Sequence, residues 1–588
     1  MWTIPSLEAD LVAHLARDLR VSPVTALMLA NRGLTDARAA RRFLDPSLHE
    51  LKDPFDHPVL REAAKFVAEA IRHGRHITIF GDYDADGICA TAMLIRCLRG
   101  VGAAVDYHIP HRIEHGYGLN CDALDELKAR GSEVIITVDC GISAHEEVAH
   151  ATKLGLDLVI TDHHEPRGER PAARFVLNPH LPDCDFGCRQ LAGAGVAFKF
   201  AWALGQAMAA NRNVSPAYRE LLVEALPLAA VGTIADVVPL IDENRVIAHF
   251  GLRVLPQTTN AGIQALLRVA GSAGKSKLTP YHVAFEIAPR LNAVGRLGDA
   301  AAAVEMLITD DTAKALELAE HHEKQNRLRQ NIQRVITDEA FQLAERSFDP
   351  NRFGCIVLSS PDWHPGVVGL AASKLTERFW RPAFVFCEED GLARGSARSI
   401  PGFPLFDAIR RCEHLVETYG GHEGAAGLSV SVEKLSSFAE AMDEIARSIV
   451  GETPPTPRLD LEGEVELSQL STGVMGEIEM LAPFGMGNPD PLFAAHELRV
   501  AGSPQLVGSR RNHLSFMARQ GETTTRVIAF GKADWLKPLR EHKDEPFSLA
   551  FEPRIDNFNG YGTVVLRAED IQWADEKAVE MRPAGCMV

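Results

Sequence analysis

Short apolar runs alternate with longer amphipathic stretches over the first half of the chain. The runs near 76–80, 133–138 and 157–161 are apolar almost throughout, and a weaker one covers 104–110. Continuous apolar runs of this length predict strands buried on both faces. The segments between them, such as Ala123 to Arg130, repeat their apolar positions at helical spacing. That alternation predicts α/β: a mostly parallel sheet flanked by helices.

The pattern changes on either side of this region. Residues 1–50 read as small helices: Ser22-Pro23 is a start signal for the stretch ending at Leu34, and Asp36 opens the one ending at Leu44. Between Gly298 and Pro350 there is neither glycine nor proline, and Leu328, Ile332, Val335, Ile336 and Ala340 recur at helical spacing. A helix over most of that stretch would span roughly 50 Å at about 1.5 Å per residue. Its heptads are not sustained, so it reads as an interdomain strut rather than a coiled-coil arm. From Phe353 a second α/β unit follows, with a strand to Ser360, a helix over Gly366 to Thr376 and a strand from Pro382 to Glu389. The stretch Gly451 to Pro457 is the best linker in the chain. Beyond it, alternating runs beginning at His513, Thr524, Phe547 and Gly562, with a turn at Asn559–Gly562, fit a small barrel such as an OB-fold, a common binder of single strands. The expected division is 1–50 helical, 51–305 first α/β domain, 306–350 long helix, 351–450 second α/β domain and 458–575 barrel.

At 588 residues the chain has room for three to four domains. The formal charge of −18 excludes a uniformly basic nucleic-acid binder. If the chain binds nucleic acid, a basic channel on an acidic body is expected, with steep weakening by salt. None of the ten cysteines forms a Cys-x-x-Cys pair. Cys184 and Cys188, with His180 nearby, are the one zinc-like grouping and read as reduced thiols. The first residues lack the apolar core of a secretion signal. Leu191 to Ala210 contains Lys199 and Gln206 and reads as a core helix rather than a membrane span. A cytoplasmic protein without membrane contact is expected.

Three of the predicted strands end in potential ligands: Asp82, Asp84 and Asp86 after the first, Asp139 after another, and Asp162, His163 and His164 after a third. In an open α/β sheet, that edge is where ligands bind. A lone Asp-x-Asp after a strand is more often a turn or helix cap. Here several carboxylates would converge, and their mutual repulsion calls for a cation. Hard oxygen donors with an imidazole or two suit Mg²⁺ or Mn²⁺. If the backbone stays extended, Asp82, Asp84 and Asp86 share one face; a turn would fan them out. No Ser-His-Asp or Cys-His nucleophile arrangement is evident.

These strings resemble the DHH phosphoesterase superfamily. The resemblance continues through Ala235-Asp236-Val237, the stretch from Ala288 to Arg296, Gly420-Gly421-His422, and the stretch from Pro483 to Pro489. Within the superfamily the chain is similar to the bacterial single-strand-specific 5′→3′ exonucleases, whose order is DHH domain, long helix, DHHA1 domain and OB-fold. The resemblance implies two divalent ions, Mn²⁺ or Mg²⁺, serving in-line phosphodiester hydrolysis in DNA recombination and repair. It implies Asp82, Asp84, Asp139, His163 and Asp236 as metal ligands, with Asp139 bridging. Asp86 is a further catalytic candidate, His164 would contact phosphate or support a ligand from behind, and Asp162 would orient an imidazole. Polarity needs a reader of the 5′ end, and a guanidinium fork suits a terminal phosphate. Arg290 and Arg296, with Asn292 beside them, are the leading candidates and Arg112 a further one, a surface ion pair being the alternative for each arginine. In the second unit the resemblance implies Arg398, Gly420, Gly421 and His422. Family members often carry glycine where this chain has Ala397. Phe484, Phe516, Phe558 and Tyr561 are candidate stacking rings. The implied partners are single-stranded DNA, a helicase and a single-strand-binding protein, and the implied state is a monomer. A small-substrate phosphoesterase of the same superfamily would not need the barrel, and a non-catalytic scaffold would not need to keep the ligands.

Overall fold

The computed structural model describes residues 1–111, 118–166, 168–184, 186–298, 300–349, 352–451, 457–556 and 562–573, and the backbone of 579–583. It opens with a strand where residues 1–50 were expected to be helical throughout: Trp2–Ser6 (β1). This strand is the middle of a parallel three-stranded sheet whose other members come from late in the chain. The cause is tertiary. Trp2 is fully buried against Leu461, Ala494 and Ala550, and its indole N–H donates to Asp570 at 2.7 Å. Helices α1 (Ala9–Leu19), α2 (Pro23–Asn31) and α3 (Ala37–Leu44) follow. Ser22 and Asp36 cap α2 and α3 by accepting the Thr25 and Ala39 N–H groups.

Helix α4 (Pro58–Arg72) leads into the parallel sheet. Its strands are β2 (Ile77–Phe80), β3 (Val105–His108), β4 (Val134–Val138), β5 (Asp157–Thr161) and β6 (Phe175–Leu177), in the order β3-β2-β4-β5-β6. All pairings are parallel. Helices α5 (Ala85–Gly100), α6 (Cys121–Ala129) and α7 (His145–Lys153) connect them. β2 and β4 are buried at every residue, which is why they read as apolar runs broken only by Thr78 and Thr137. The short β6 carried too few residues to stand out in sequence.

Helices α8 (Gly193–Ala209) and α9 (Pro216–Ala235) then pack on α5, α10 (Asp242–Val254) packs on α9, and α11 (Ala261–Val269) adds Ile263, Leu266 and Leu267 to the same core. Lys199 is buried in α8 and pairs with Glu243 at 2.7 Å, so the core helix expected there tolerates its one charge. Cys184 and Cys188 are buried free thiols. They join no metal-ligating group among the described residues.

A single-turn π-helix (His282–Ile287) passes into α12 (Ala288–Leu297) and α13 (Ala301–Ile308). The long helix is α14 (Thr312–Ser347), 36 residues or about 54 Å. It starts later than the glycine- and proline-free stretch allowed. Thr309 is extended, and the Asp311 side chain accepts the Ala313 and Lys314 N–H groups, so a new helix begins there.

The second α/β unit holds β7 (Ile356–Ser360), α15 (Val368–Phe379), β8 (Ala383–Glu389), β9 (Leu392–Arg398), β10 (Thr418–Gly421) and β11 (Ala425–Ser431). Its sheet order is β10-β11-β9-β8-β7. Short strands β12 (Leu459–Asp460) and β13 (Gly463–Glu464) precede the barrel strands β14 (Phe493–Val507), β15 (His513–Gln520), β16 (Thr523–Ala529), β17 (Phe547–Asp556) and β18 (Thr563–Trp573). β14 pairs with both β15 and β17, β15 with β16, and β16 with β18, which closes on β17, so the barrel is shut. β12 and β19 (Val579–Pro583) flank β1. Of the proposed stacking rings, Phe516 is buried in the barrel core and Phe484 packs half-buried against it. Phe558, Tyr561, most of the predicted 559–562 turn and most of the predicted 451–457 linker lie outside the described residues.

Candidate metal centre

The chain leaves β2 for β3 on one side and comes back to β4 on the other. This reversal opens a crevice beyond the C-terminal ends of β2 and β4. Asp82 follows β2, Asp139 directly follows β4, and Asp162 directly follows β5. Asp139 has φ 63°, a left-handed conformation that aspartate and asparagine tolerate better than most residues. Gly141, at φ 111°, completes the turn. Asp162 organises the next loop. Its Oδ1 accepts the His163 N–H at 2.7 Å, the His164 N–H at 3.1 Å and His164 Nδ1 at 2.8 Å; Oδ2 accepts the Ile142 N–H at 2.9 Å. Asp162 therefore orients the His164 imidazole and is fully occupied in doing so.

The carboxylates after β2 fan out across a turn rather than sharing a face. Asp84 is the N-cap of α5, with Oδ1 accepting the Asp86 and Gly87 N–H groups at 2.9 and 3.1 Å. Asp86 lies in the first turn and reaches the N-terminus of α8, where its oxygens accept the Gly193 and Ala194 N–H groups at 2.7 and 2.9 Å. Two helix N-termini thus face the crevice, and each favours negative charge. Sequence reasoning missed the α8 end. Its signal was glycine inside apolar helices: a Cβ on Gly193 would stand 2.8 Å from Asp139 Oδ1, and one on Gly232 would stand 2.5 Å from Asp86 Oδ1.

Among the described residues three overlapping sets of ligand atoms result, each within 4.8 Å of one another: Asp82, Asp84 and Asp139; Asp139, His163 and His164; and Asp86, His163 and Asp236. Asp139 belongs to the first two sets and His163 to the last two. His163 Nε2 is buried, 3.1 Å from Asp139 Oδ1 and 3.5 Å from Asp236 Oδ2, yet forms no hydrogen bond there. Asp236 caps the end of α9.

The electrostatics of the cluster follow from crowding. Burial, then the charges of Asp86 and Asp84, push the Asp236 carboxyl up to about 9. Burial and Asp84 push Asp86 up to about 7 against its two backbone hydrogen bonds. Asp139 is driven well above the carboxylate range by burial and by Asp86, Asp84, Asp236 and Asp82. Burial and His164 hold His163 down to about 3, so its imidazole is neutral. For His164, burial works downward, but Asp162 prevails and raises it to about 9. Carboxylates strained by one another, a neutral imidazole with an unused nitrogen, and no thiolate are a donor set that fits Mn²⁺ or Mg²⁺.

The expected substrate residues fall in three places. Asn292 Oδ1 accepts the Ala85 N–H at 2.7 Å, so α12 lies against the metal loop. Arg290 pairs with Glu323 of α14 at 2.7 Å, and Arg296 Nη1 donates to the Gly366 carbonyl at 3.1 Å. Arg398 ends β9, paired with Ala425 of β11, and the adjoining Gly420–His422 hairpin lies at the same end of the sheet. The Ser399 N–H donates to Gly424 O in that hairpin. A Cβ on Gly369 would be 3.1 Å from both Arg398 Nη2 and Ser396 Oγ, so both side chains sit against the first turn of α15. Ser396 was not singled out from sequence. Ala397 is buried in a regular strand, paired with Phe384 and Ala426, and needs no glycine. Arg112 lies outside the described residues. Tyr281 and Phe285, 62% and 66% exposed, hold their rings 4.8 Å apart at the π-helical turn before α12. Nothing in their local sequence marks them as surface.

The chain matches the DHH family N-terminal domain over residues 76–233, the DHHA1 domain over 353–448 and the RecJ OB domain over 461–570. It is 38% identical to the single-stranded-DNA-specific exonuclease RecJ of Bacillus subtilis (strain 168), over 99% of this chain and 72% of that one. It is 34% identical to the protein of the same name from Escherichia coli (strain K12), over 96% and 98% of the two chains. The crystal structure of RecJ in complex with Mn²⁺ from Thermus thermophilus superposes with TM-score 0.83 at 31% identity, covering 98% of this chain and 80% of that one. The Mg²⁺ complex from the same organism gives TM-score 0.74 at 28% identity, covering 98% of this chain and 79% of that one.

Proposed function

The chain belongs to the RecJ family of single-stranded-DNA-specific exonucleases, and on that premise we propose how its residues carry out the reaction. It is a metal-dependent single-stranded-DNA exonuclease. We assign the ions to Asp82, Asp84, Asp139, His163 and Asp236, with Asp139 shared between them. The observation that carries this assignment is the overlap of the three ligand sets through Asp139 and His163. Divalent ions held there would activate water and offset charge on the scissile phosphate and the departing oxygen. Asp86 docks α8 and keeps Asp139 in place, while Asp162 fixes His164 toward the phosphate.

The finer reading is 5′→3′ polarity. Arg398 and Ser396 stand at the N-terminus of α15, where a planar guanidinium and helix N–H groups together suit a terminal phosphate. Gly420, Gly421 and His422 border that place, and Arg296 links it to α12 through Gly366. The exposed Tyr281–Phe285 pair offers a stacking surface for unpaired bases. Arg290, held by Glu323, positions α12. We further infer a cytoplasmic, monomeric enzyme of recombination and repair, working on strands exposed by a helicase and covered by a single-strand-binding protein.

The test is degradation of end-labelled single strands, with and without a 5′ phosphate, in Mg²⁺ and Mn²⁺. Mononucleotide release from the 5′ end, faster when that end is phosphorylated, is expected. Release from the 3′ end, or indifference to the terminal phosphate, would reject the polarity reading.

A further inference from the structure

We propose that Asn292 is a positioning residue for the metal loop, acting on Asp84 through the Ala85 N–H rather than on the substrate. The proposal rests on the assignment of Asp84 as a ligand. Helix α5 begins at Ala85, and its first N–H groups have no partner within the helix. The Asp84 side chain serves two of them, those of Asp86 and Gly87. The Ala85 N–H is served instead from α12, by Asn292 Oδ1 at 2.7 Å. One turn further along α12, Gly295 meets the same loop so closely that a Cβ would stand 2.4 Å from Tyr83 O. Asp84 therefore lies between two backbone groups, Tyr83 O and Ala85 N, that both bear on one helix.

That helix is itself held at both ends. Arg290 pairs with Glu323 of α14 at 2.7 Å. At the other end Arg296 donates to Gly366 O at 3.1 Å, and a Cβ on Gly366 would lie 2.5 Å from Arg296 O. Asn292 is thus presented from a rigid element, as a residue that holds a ligand in place has to be. Water could satisfy the Ala85 N–H equally well as a hydrogen-bond partner, but it would not set the rotation of the loop. The carbonyl oxygen of Asn292 is directed at the protein backbone, whereas a phosphate contact would use its amide nitrogen. A positioning role and a substrate role therefore predict different losses.

The test is calorimetric titration of the DNA-free, full-length protein with Mn²⁺, beside melting curves of the metal-free protein. Asn292→Ala should bind Mn²⁺ about 10–100-fold more weakly, as expected for loss of a group supporting a ligand. At saturating Mn²⁺ its KM for a single-stranded oligonucleotide should stay within about twofold of wild type, because uniform substrate binding is untouched. Asn292→Asp, which keeps the acceptor, should lose no more than about threefold in Mn²⁺ affinity. If Asn292→Ala does not fold, Asn292→Ser, whose hydroxyl is too short to reach Ala85, is read by the same criteria. Unchanged Mn²⁺ affinity in the variant that folds would overturn the proposal, and a raised KM in its place would make Asn292 a substrate contact. A wild-type protein that binds Mn²⁺ but leaves single strands intact would instead reject the functional reading and leave this assignment standing.

Discussion

Gly193 brings the first turn of α8 against Asp139 so closely that a Cβ would stand 2.8 Å from the carboxylate oxygen. The glycine that begins a core helix is therefore also part of the metal centre. Gly193→Ala must displace either α8 or the shared ligand. A shift of about 1 Å at a reacting centre is enough to cost on the order of 10²-fold in rate. That loss in kcat at saturating Mn²⁺ is the expected result, and wild-type turnover would show that Asp139 tolerates the shift.

Asp139→Asn should remove hydrolysis and the Mn²⁺ heat while leaving the fold in place. Asparagine accepts the φ of 63° found here as readily as aspartate does. It also replaces a carboxyl whose ionisation burial and its acidic neighbours oppose with a group that is always neutral, so the metal-free melting temperature should hold or rise. Residual nuclease activity in purified protein would remove Asp139 from the centre.

Metal binding should release protons. In the metal-free protein, burial raises Asp236 from 3.8 to about 9 and Asp86 to about 7, so both hold protons near neutrality that a cation must displace. Mn²⁺ affinity should therefore rise between about pH 6 and 9, with proton release visible as a buffer-dependent heat. The same sign governs stability. A carboxyl raised in the folded state contributes most below its unfolded value, and that contribution is lost as pH rises through the folded value. Metal-free protein should melt lower at about pH 9 than at about pH 5, and Mn²⁺ should narrow the difference. An affinity independent of pH would contradict the crowding argument.

Arg398→Ala should lower the preference for a 5′-phosphorylated end by about 10–100-fold, the range for a lost hydrogen bond to a charged group. Cleavage of unphosphorylated strands should change little. Competition between the two substrates in one reaction measures the ratio directly, and an unaltered ratio would move the terminal-phosphate site elsewhere.

Truncating Tyr281 and Phe285 together should raise KM for single strands by about 5–100-fold, in line with base stacking of about 1–3 kcal/mol. The salt dependence of binding should keep its slope, because no phosphate contact is removed. A changed slope with an unchanged KM would mean that the rings support a charged neighbour instead.

Much of this was legible because the apolar runs are continuous and the ligands sit at their ends. β2, β4 and β5 could be placed from Ile77–Phe80, Val134–Val138 and Leu158–Ile160, since a strand covered on both faces is apolar at nearly every position, with only Thr78 and Thr137 interrupting these runs. Asp82, Asp139 and His163 then followed by counting forward. β1 was not legible. Its few residues carry no period of their own, and Trp2 is extended because Asp570 and Leu461 lie beside it.

Local chemistry in the sequence determined that carboxylates and imidazoles would end strands of a parallel sheet and that a cation would suit them. Only the tertiary structure decided which of them meet. Asp86 turns to α8 because Gly193 and Ala194 present helix-end N–H groups there, and Asp236 arrives on a helix that begins at Pro216. Arg290 faces Glu323 and Asn292 faces Ala85 because α12 is packed between the long helix and the metal loop. A side chain's type is a property of its own position, whereas its partner depends on what the rest of the chain brings alongside.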